Sequence, residues 1–169
     1  MSDDTVPIDE SPADRIAAAI AKFGEPTVAR RAASLLAGAN EGEQFLLWVG
    51  GRHAQGVLDG APPLYWPEVW GARALLYAWD DSAASVVVTG LHDRAWRVRE
   101  MCARVCLARG IGAVDDLAPL LLDSQPRVRA AAARVLATHE EARERLTPLL
   151  RDPEKDVRRA VREALDATR

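Results

Sequence analysis

The chain has 169 residues, of which 49% are hydrophobic and 28% are charged, and its formal net charge is −3 at pH 7. This balance is that of an ordinary folded domain and excludes extensive disorder away from the ends. The longest apolar runs fall far short of the roughly 20 residues that a transmembrane helix needs, so no membrane association is expected. Residues 1–10 are acidic with no basic residue, unlike a secretory or mitochondrial signal, and we therefore expect a cytoplasmic protein.

The charge is unevenly distributed along the chain. Residues 1–90 hold six basic and twelve acidic groups, whereas residues 91–169 hold sixteen basic and thirteen acidic groups. The local balances are −6 and +3. The positive excess suggests a polar contact surface in the C-terminal half, but it is too small for a nucleic-acid footprint, and a solvated helical face explains it as well.

The first 64 residues are predicted to lack the regular repeat. Residues 1–10 are expected to form a disordered acidic tail and residues 11–64 an irregular helical cap. Within this cap, helices are predicted over residues 13–23, 28–36 and 43–58. Gly50 and Gly51 weaken the middle of the third helix, and residues 59–63 read as a Gly/Pro loop.

Residues 65–169 contain an internal repeat. Three segments superpose: LHDRAWRVREMCARVC from Leu91, LLDSQPRVRAAAARVL from Leu121 and LRDPEKDVRRAVREAL from Leu150. The shared Val-Arg pair recurs after 30 and then 29 residues, each time preceded by Asp. Residues 70–79 are interpreted as the second helix of a further unit, and Asp80 and Asp81 as caps of the helix that follows. The predicted units are residues 65–80, 81–110, 111–139 and 140–169.

Each unit is predicted to be helix, turn, helix. Apolar residues follow the shared Val at i+4, i+7 and i+8, which is one stripe of an amphipathic helix. Shorter helices are predicted before each Asp, over residues 83–91, 114–122 and 141–150. One helix pair cannot bury its apolar faces alone, so neighbouring units must stack. We therefore predict an all-α fold of about four to five stacked units.

The length of the repeat, the Asp in its turn and the Val-Arg pair that opens its second helix resemble the HEAT-like repeats of the phycobilisome-lyase type. The resemblance extends over about residues 80–169 and implies a right-handed α-solenoid. In that family the Asp and Arg often form a polar ladder between successive units. Carried onto this sequence, the ladder consists of Asp93, Arg99, Asp123, Arg129, Asp152 and Arg158. A guanidinium has five donors in a fixed fork and can satisfy the turns of two units at once.

Other residues differ between the units and are better candidates for recognition. Family members usually line their concave face with the polar side of the second helices. The residues predicted there to bind a protein are Trp96, Arg97, Arg104, Arg127 and Arg134. The last unit departs from this pattern, with Asp156 and Glu163 at the arginine positions. Two simpler interpretations remain open: the arginines form a solvated helical face, and Trp96, expected in the turn before the second helix, packs over that turn.

No catalytic, cofactor-binding or metal-binding residues are predicted. His53, His92 and His139 lie in different units, and the chain has no catalytic or phosphate-binding motif. Cys102 and Cys106 are four residues apart and are expected to be small buried hydrophobic side chains on one helix face.

These observations favour a non-enzymatic protein–protein interaction scaffold that uses the concave face of a short HEAT-repeat solenoid and binds no cofactor. Related solenoids suggest two alternatives. One is a DNA-binding protein related to alkylpurine DNA glycosylases, which Trp96, Asp93 and the nearby arginines resemble superficially. The sequence pI of about 5.7 makes nucleic acid an improbable partner. The other is a bilin-lyase-like accessory protein.

Overall fold

The computed structural model describes residues 5–168, and within that range every regular element is helical and none is a strand. The all-α prediction is therefore confirmed. The chain divides into two compact units, Met1–Val87 and Val88–Arg169. Within the described part of the chain, no helix combines the length and the apolar character needed to cross a bilayer.

The first unit is built around four helices. These are α1 (Pro12–Phe23), α2 (Glu25–Leu36), α3 (Glu43–Leu58) and α4 (Trp66–Ala74). The helices predicted over residues 13–23, 28–36 and 43–58 are therefore present. Helix α2 packs closely against α4, and Gly71 makes this possible: a Cβ there would lie 2.7 Å from the Ala32 carbonyl oxygen.

Helix α4 ends at Ala74, earlier than the helix predicted over residues 70–79. The residues that follow form tight turns, in which the amides of Leu75, Leu76 and Tyr77 donate to the third carbonyl back. Asp80 then caps a short 3₁₀ turn by accepting from the amide of Ser82 at 3.0 Å. Helix α5 (Ala84–Gly90) follows.

Residues 5–10 differ from the expected disordered tail. Val6 is buried, and the amide of Arg52 donates to the Ile8 carbonyl at 3.1 Å. The Arg52 side chain also reaches Asp9, with 2.7 Å between Nε and Oδ1. An apolar side chain and these long-range contacts hold the segment, which charge composition alone did not reveal. Residues 1–4 of the expected tail lie outside the described residues.

Helix α3 is interrupted where the two glycines stand. Gly51 has φ 58° and ψ −138°, outside the helical region. The interruption frees carbonyls at the end of the first half of α3, and the buried Arg15 takes two of them. Its Nε donates to the Trp48 carbonyl at 3.1 Å and its Nη2 to that of Val49 at 3.4 Å. Burial lowers the pKa of Arg15. The two carbonyls act in the opposite direction, because they lie at the negative end of the helical segment and stabilise the positive charge.

The second unit repeats one pattern of helices. Its long helices are α6 (Trp96–Arg109), α8 (Pro126–Leu136) and α9 (Lys155–Ala167). Helix α7 (Val114–Leu117) continues as a 3₁₀ segment, Ala118–Leu122, and a second 3₁₀ segment, Glu140–Arg151, precedes α9. Pro119 and Pro148 lie within the two 3₁₀ segments, where their missing amide donors disfavour a regular α-helix.

Helices α6 and α8 bury the apolar stripe that the sequence predicts, whereas the last two positions of the stripe in α9, Ala164 and Leu165, are partly exposed. Val98, Val128 and Val157 have no exposed surface, and neither do Ala132 and Ala160. Small side chains at these positions let α6 pack against α8 and α8 against α9. Trp96 is the first residue of α6, one position beyond the turn in which it was expected. Helix α8 therefore packs between two long helices of the same design.

We predict that Gly51→Ala lowers the free energy of unfolding by about 2–4 kcal/mol, because the residue has positive φ and an added Cβ would lie 2.6 Å from the Arg15 guanidinium carbon. Urea unfolding followed by circular dichroism measures this. Gly56→Ala is the matched control, since its position in α3 is helical and open. This control should gain roughly 0.5–1 kcal/mol. Equal stability of the two variants would contradict a constrained kink.

Candidate functional site

Two arginines in the second unit form bidentate ion pairs with the aspartate of the next turn. Arg99 binds Asp123, with Nε–Oδ2 at 2.7 Å and Nη2–Oδ1 at 3.0 Å. Arg129 binds Asp152 in the same way, at 2.8 and 2.9 Å. The four side chains are between 7% and 16% exposed, so both pairs are largely shielded from water. The structure thus brings together residues that the sequence places 23 and 24 positions apart.

The third nitrogen of each guanidinium, Nη1, donates to a backbone carbonyl in the turn of its own repeat. Nη1 of Arg99 donates to the Asp93 carbonyl at 2.8 Å, and Nη1 of Arg129 donates to that of Asp123 at 2.8 Å. Arg158 repeats this contact with the Asp152 carbonyl at 2.6 Å. Within residues 5–168, Arg158 pairs with no carboxylate. Each paired arginine therefore fastens two successive turns.

The aspartates also order their own turns. One carboxylate oxygen of Asp93, Asp123 and Asp152 accepts from the amide two residues later, at 2.7, 2.9 and 2.9 Å. The hydrogen bonds from the Arg129 guanidinium and from the Glu154 amide lower the pKa of Asp152. Burial raises the pKa of Asp123, but the bonds from Arg99 and from the Gln125 amide outweigh burial and leave it lowered. Both carboxylates are thus held in the charged form.

Because these side chains are occupied by each other, the exposed residues of the long helices are the ones that remain available for contact with another molecule. We define the arginine face as Trp96, Arg97, Arg104, Arg127 and Arg134. The guanidinium carbon of Arg97 lies 4.3 Å from the centroid of the Trp96 ring, and that of Arg127 lies 5.8 Å from it. Such contacts hold the partly exposed indole in place. The structure therefore brings three of the five predicted binding residues into one cluster.

A shallow cavity of about 270 Å³ lies next to this cluster. Arg127 and Arg134 line it together with Ala130 and Pro126 from the same helix. Its other lining residues are charged and come from α6, α9 and the turn before α9: Glu100, Glu154, Asp156 and Arg159. Acidic groups from α6, α9 and the turn before α9 therefore lie beside the predicted arginines, and the surface has mixed charge.

The arginines of this face differ in how far they are engaged. Arg127 donates from Nε to Glu100 at 3.0 Å while 64% of its side chain remains exposed. Arg104 and Arg134 are exposed, and neither forms an ion pair with any described residue. These two guanidinium groups can donate hydrogen bonds to an external carboxylate without breaking an internal ion pair.

Glu100 and Arg159 line the cavity beside the arginine face but were absent from the sequence prediction. Both lie two residues after the shared Val of their repeat, at the position that Ala130 occupies in the repeat between them. Glu100 is also three residues after Arg97 and four before Arg104, which places all three on one helical face. Helical spacing was the signal that could have found them.

Both cysteines lie inside the second unit. Cys102 and Cys106 have no exposed surface and form no disulfide, which confirms their prediction as buried hydrophobic side chains. Burial raises the pKa of both thiols, that of Cys106 to about 12. His53, by contrast, packs against Trp66 and Trp70 in the first unit, with ring centroids 4.9 and 5.0 Å apart. Among residues 5–168, no three His, Cys, Asp or Glu side chains lie close enough to hold a metal ion.

Comparison with known protein families finds no family model that matches the chain, and comparison with curated proteins finds no match either.

We predict that Asp152→Asn lowers the free energy of unfolding by about 2–3 kcal/mol at pH 7, because it leaves the buried Arg129 without its counter-charge. The folded-state pKa of Asp152 lies below its ordinary value of 3.8, so the wild-type advantage is present above that value and is lost as the pH falls below it. Urea unfolding at pH 7 and pH 3 measures both effects.

The exposed Asp156, which pairs with Arg159 at 3.2 Å, supplies the control. Asp156→Asn should change stability little at either pH, because a solvated pair contributes little. A loss for Asp152→Asn that is no larger than that of the control, or that does not shrink at pH 3, would show that the buried pair does not hold the turns.

Proposed function

We propose that the helix pairs of the second unit are HEAT-like repeats of a right-handed α-solenoid. The support is their shared construction: a helical element, an Asp turn and an α-helix with Val-Arg in its first turn. The bidentate pairs of Arg99 with Asp123 and of Arg129 with Asp152 recur with the same atoms. A contact that returns at each junction is what a one-dimensional stack of repeats requires.

We further propose that this unit is a non-enzymatic scaffold or adaptor that binds a protein partner through the arginine face. The observation that carries the proposal is the Trp96 ring with two guanidinium groups against it, at 4.3 and 5.8 Å from its centroid. Trp and Arg are the residue types most enriched at interface hot spots. Next to this cluster, Arg104 and Arg134 offer exposed charge for carboxylates of the partner.

The charge pattern of this face favours protein over nucleic acid. A phosphate backbone is bound by neutralising many phosphates with basic groups. Here Glu100, Glu154 and Asp156 line the same cavity as the arginines and would repel phosphates. A protein surface can instead place basic groups opposite these carboxylates and acidic groups opposite the arginines.

The test is affinity capture from lysate with the wild-type chain and with Arg104→Glu/Arg134→Glu. We expect a specific protein that the wild-type chain retains to fall about tenfold or more with the reversed charges, because like charges are then opposed at the interface. Trp96→Ala should also weaken retention. Quantitative mass spectrometry of nuclease-treated eluates measures both.

The matched control is Arg145→Glu/Arg151→Glu, which changes the charge equally at exposed positions of the 3₁₀ segment before α9. It should retain the partner, and circular dichroism should show the same helicity for all variants. If the two double variants lose the same proteins, or if the only material retained is nucleic acid with steep salt sensitivity, the proposal is wrong.

A further inference from the structure

The first unit contains a cavity that is separate from the arginine face. Its volume is about 440 Å³, within the range of small-molecule sites. It lies between the segment that joins α2 to α3 and the segment that precedes α4. Four leucines form much of its apolar lining: Leu35, Leu46, Leu58 and Leu64. An apolar body of small-molecule size therefore has a surface to occupy.

Leu64 combines two unusual features. Its side chain is 69% exposed, although it lines the cavity. Its φ of 49° is the only positive value at a non-glycine residue within residues 5–168. A left-handed backbone is unfavourable for a leucine, and such strain is found preferentially at functional sites.

Three carboxylates also line the cavity: Glu41, Glu43 and Glu68. Arg31 neutralises the first, with 3.0 Å between its Nε and Oε2 of Glu41. The same guanidinium stacks over the Phe45 ring at 4.2 Å, so its position is fixed. Glu43 and Glu68 form no ion pair with any described residue and leave the cavity acidic.

Glu68 stands out because its Oε2 atom is buried and receives no hydrogen bond from residues 5–168. A buried carboxylate oxygen without a donor is costly, and folded proteins contain few of them. Because no ion pair or hydrogen bond with the described residues holds this carboxylate, it can turn toward the cavity, where an ammonium group would supply the missing donor and the opposite charge. A neutral apolar molecule would leave this oxygen unpaired, and an anion would be repelled.

We propose that this cavity binds a small organic cation, with its ammonium group at Glu68 and its apolar body against the leucines. The site is independent of the proposed protein-binding function. Three probes of one length separate the contributions: hexylamine carries the cation, hexanol has no charge, and hexanoate carries the opposite charge. Each is titrated into the full chain and followed by two-dimensional ¹H–¹⁵N NMR.

Hexylamine should shift the backbone signals of Gly38, Gly42 and Leu64 in a saturable way, because these residues line the cavity. Hexanol should bind at least about fivefold more weakly and hexanoate not measurably, since a charge-assisted hydrogen bond is roughly twice as strong as a neutral one. In Glu68→Gln, the affinity for hexylamine should fall to that for hexanol, while hexanol binding stays unchanged. Glu144→Gln, at an exposed position of the second unit, should leave all three affinities as in the wild-type chain.

The comparison of probes on the wild-type chain stands even if Glu68→Gln does not fold. Equal affinity for hexylamine and hexanol, or the absence of saturable shifts at the lining residues with millimolar hexylamine, would overturn the proposal. An unchanged hexylamine affinity in a folded Glu68→Gln variant would overturn it as well.

Discussion

The shielded ion pairs of Arg99 with Asp123 and of Arg129 with Asp152 are the constraint on which the second unit depends. A guanidinium with its fork on one carboxylate and its third nitrogen on a preceding carbonyl leaves little freedom to either turn. Arg129 does this with Asp152 ahead of it and Asp123 behind it. The cost of burying both charges is offset only while this geometry is kept, so the pair specifies one arrangement of neighbouring helices.

A fixed turn has a consequence for the surface of the long helices. Because the Asp turns are built in the same way in each repeat, positions away from the turns and the apolar stripe can carry different side chains without altering these contacts. Trp96, Pro126 and Lys155 occupy one equivalent position, and Glu100, Ala130 and Arg159 occupy another. The contacts of the turns are therefore repetitive, whereas these two positions carry a different side chain in every repeat.

Periodicity made the repeated part of the fold predictable. The spacing of the Val-Arg pairs indicated the helix–turn–helix units, and the resemblance to HEAT-like repeats implied the residues of the ladder. The contacts of Arg15 could not be predicted in this way. Its acceptors, the carbonyls of Trp48 and Val49, are available only because Gly51 interrupts α3. A contact between residues 33 positions apart, made to a backbone rather than a side chain, leaves no pattern in the sequence.

The candidate sites were predictable to different extents for the same reason. The arginine face follows from helical spacing, and the neighbouring Glu100 could have been predicted from that spacing too. The cavity of the first unit has no periodic signal, since it is lined by two irregular segments and by side chains from three helices. Leu64 and Glu68 are noticeable only through a backbone angle and a buried oxygen, and both are properties of the folded chain.

The arginines of this chain differ in the groups that accept hydrogen bonds from their guanidinium. Arg15 is buried against carbonyls and Arg129 against a carboxylate, so neither can bind a partner without exposing a costly group. Arg127 is exposed, but a partner must compete there with Glu100 at 3.0 Å. Arg104 and Arg134 carry no such internal cost. In the proposed interface, affinity should therefore depend most on these two arginines, while the indole of Trp96 provides the apolar contact that selects among acidic partners.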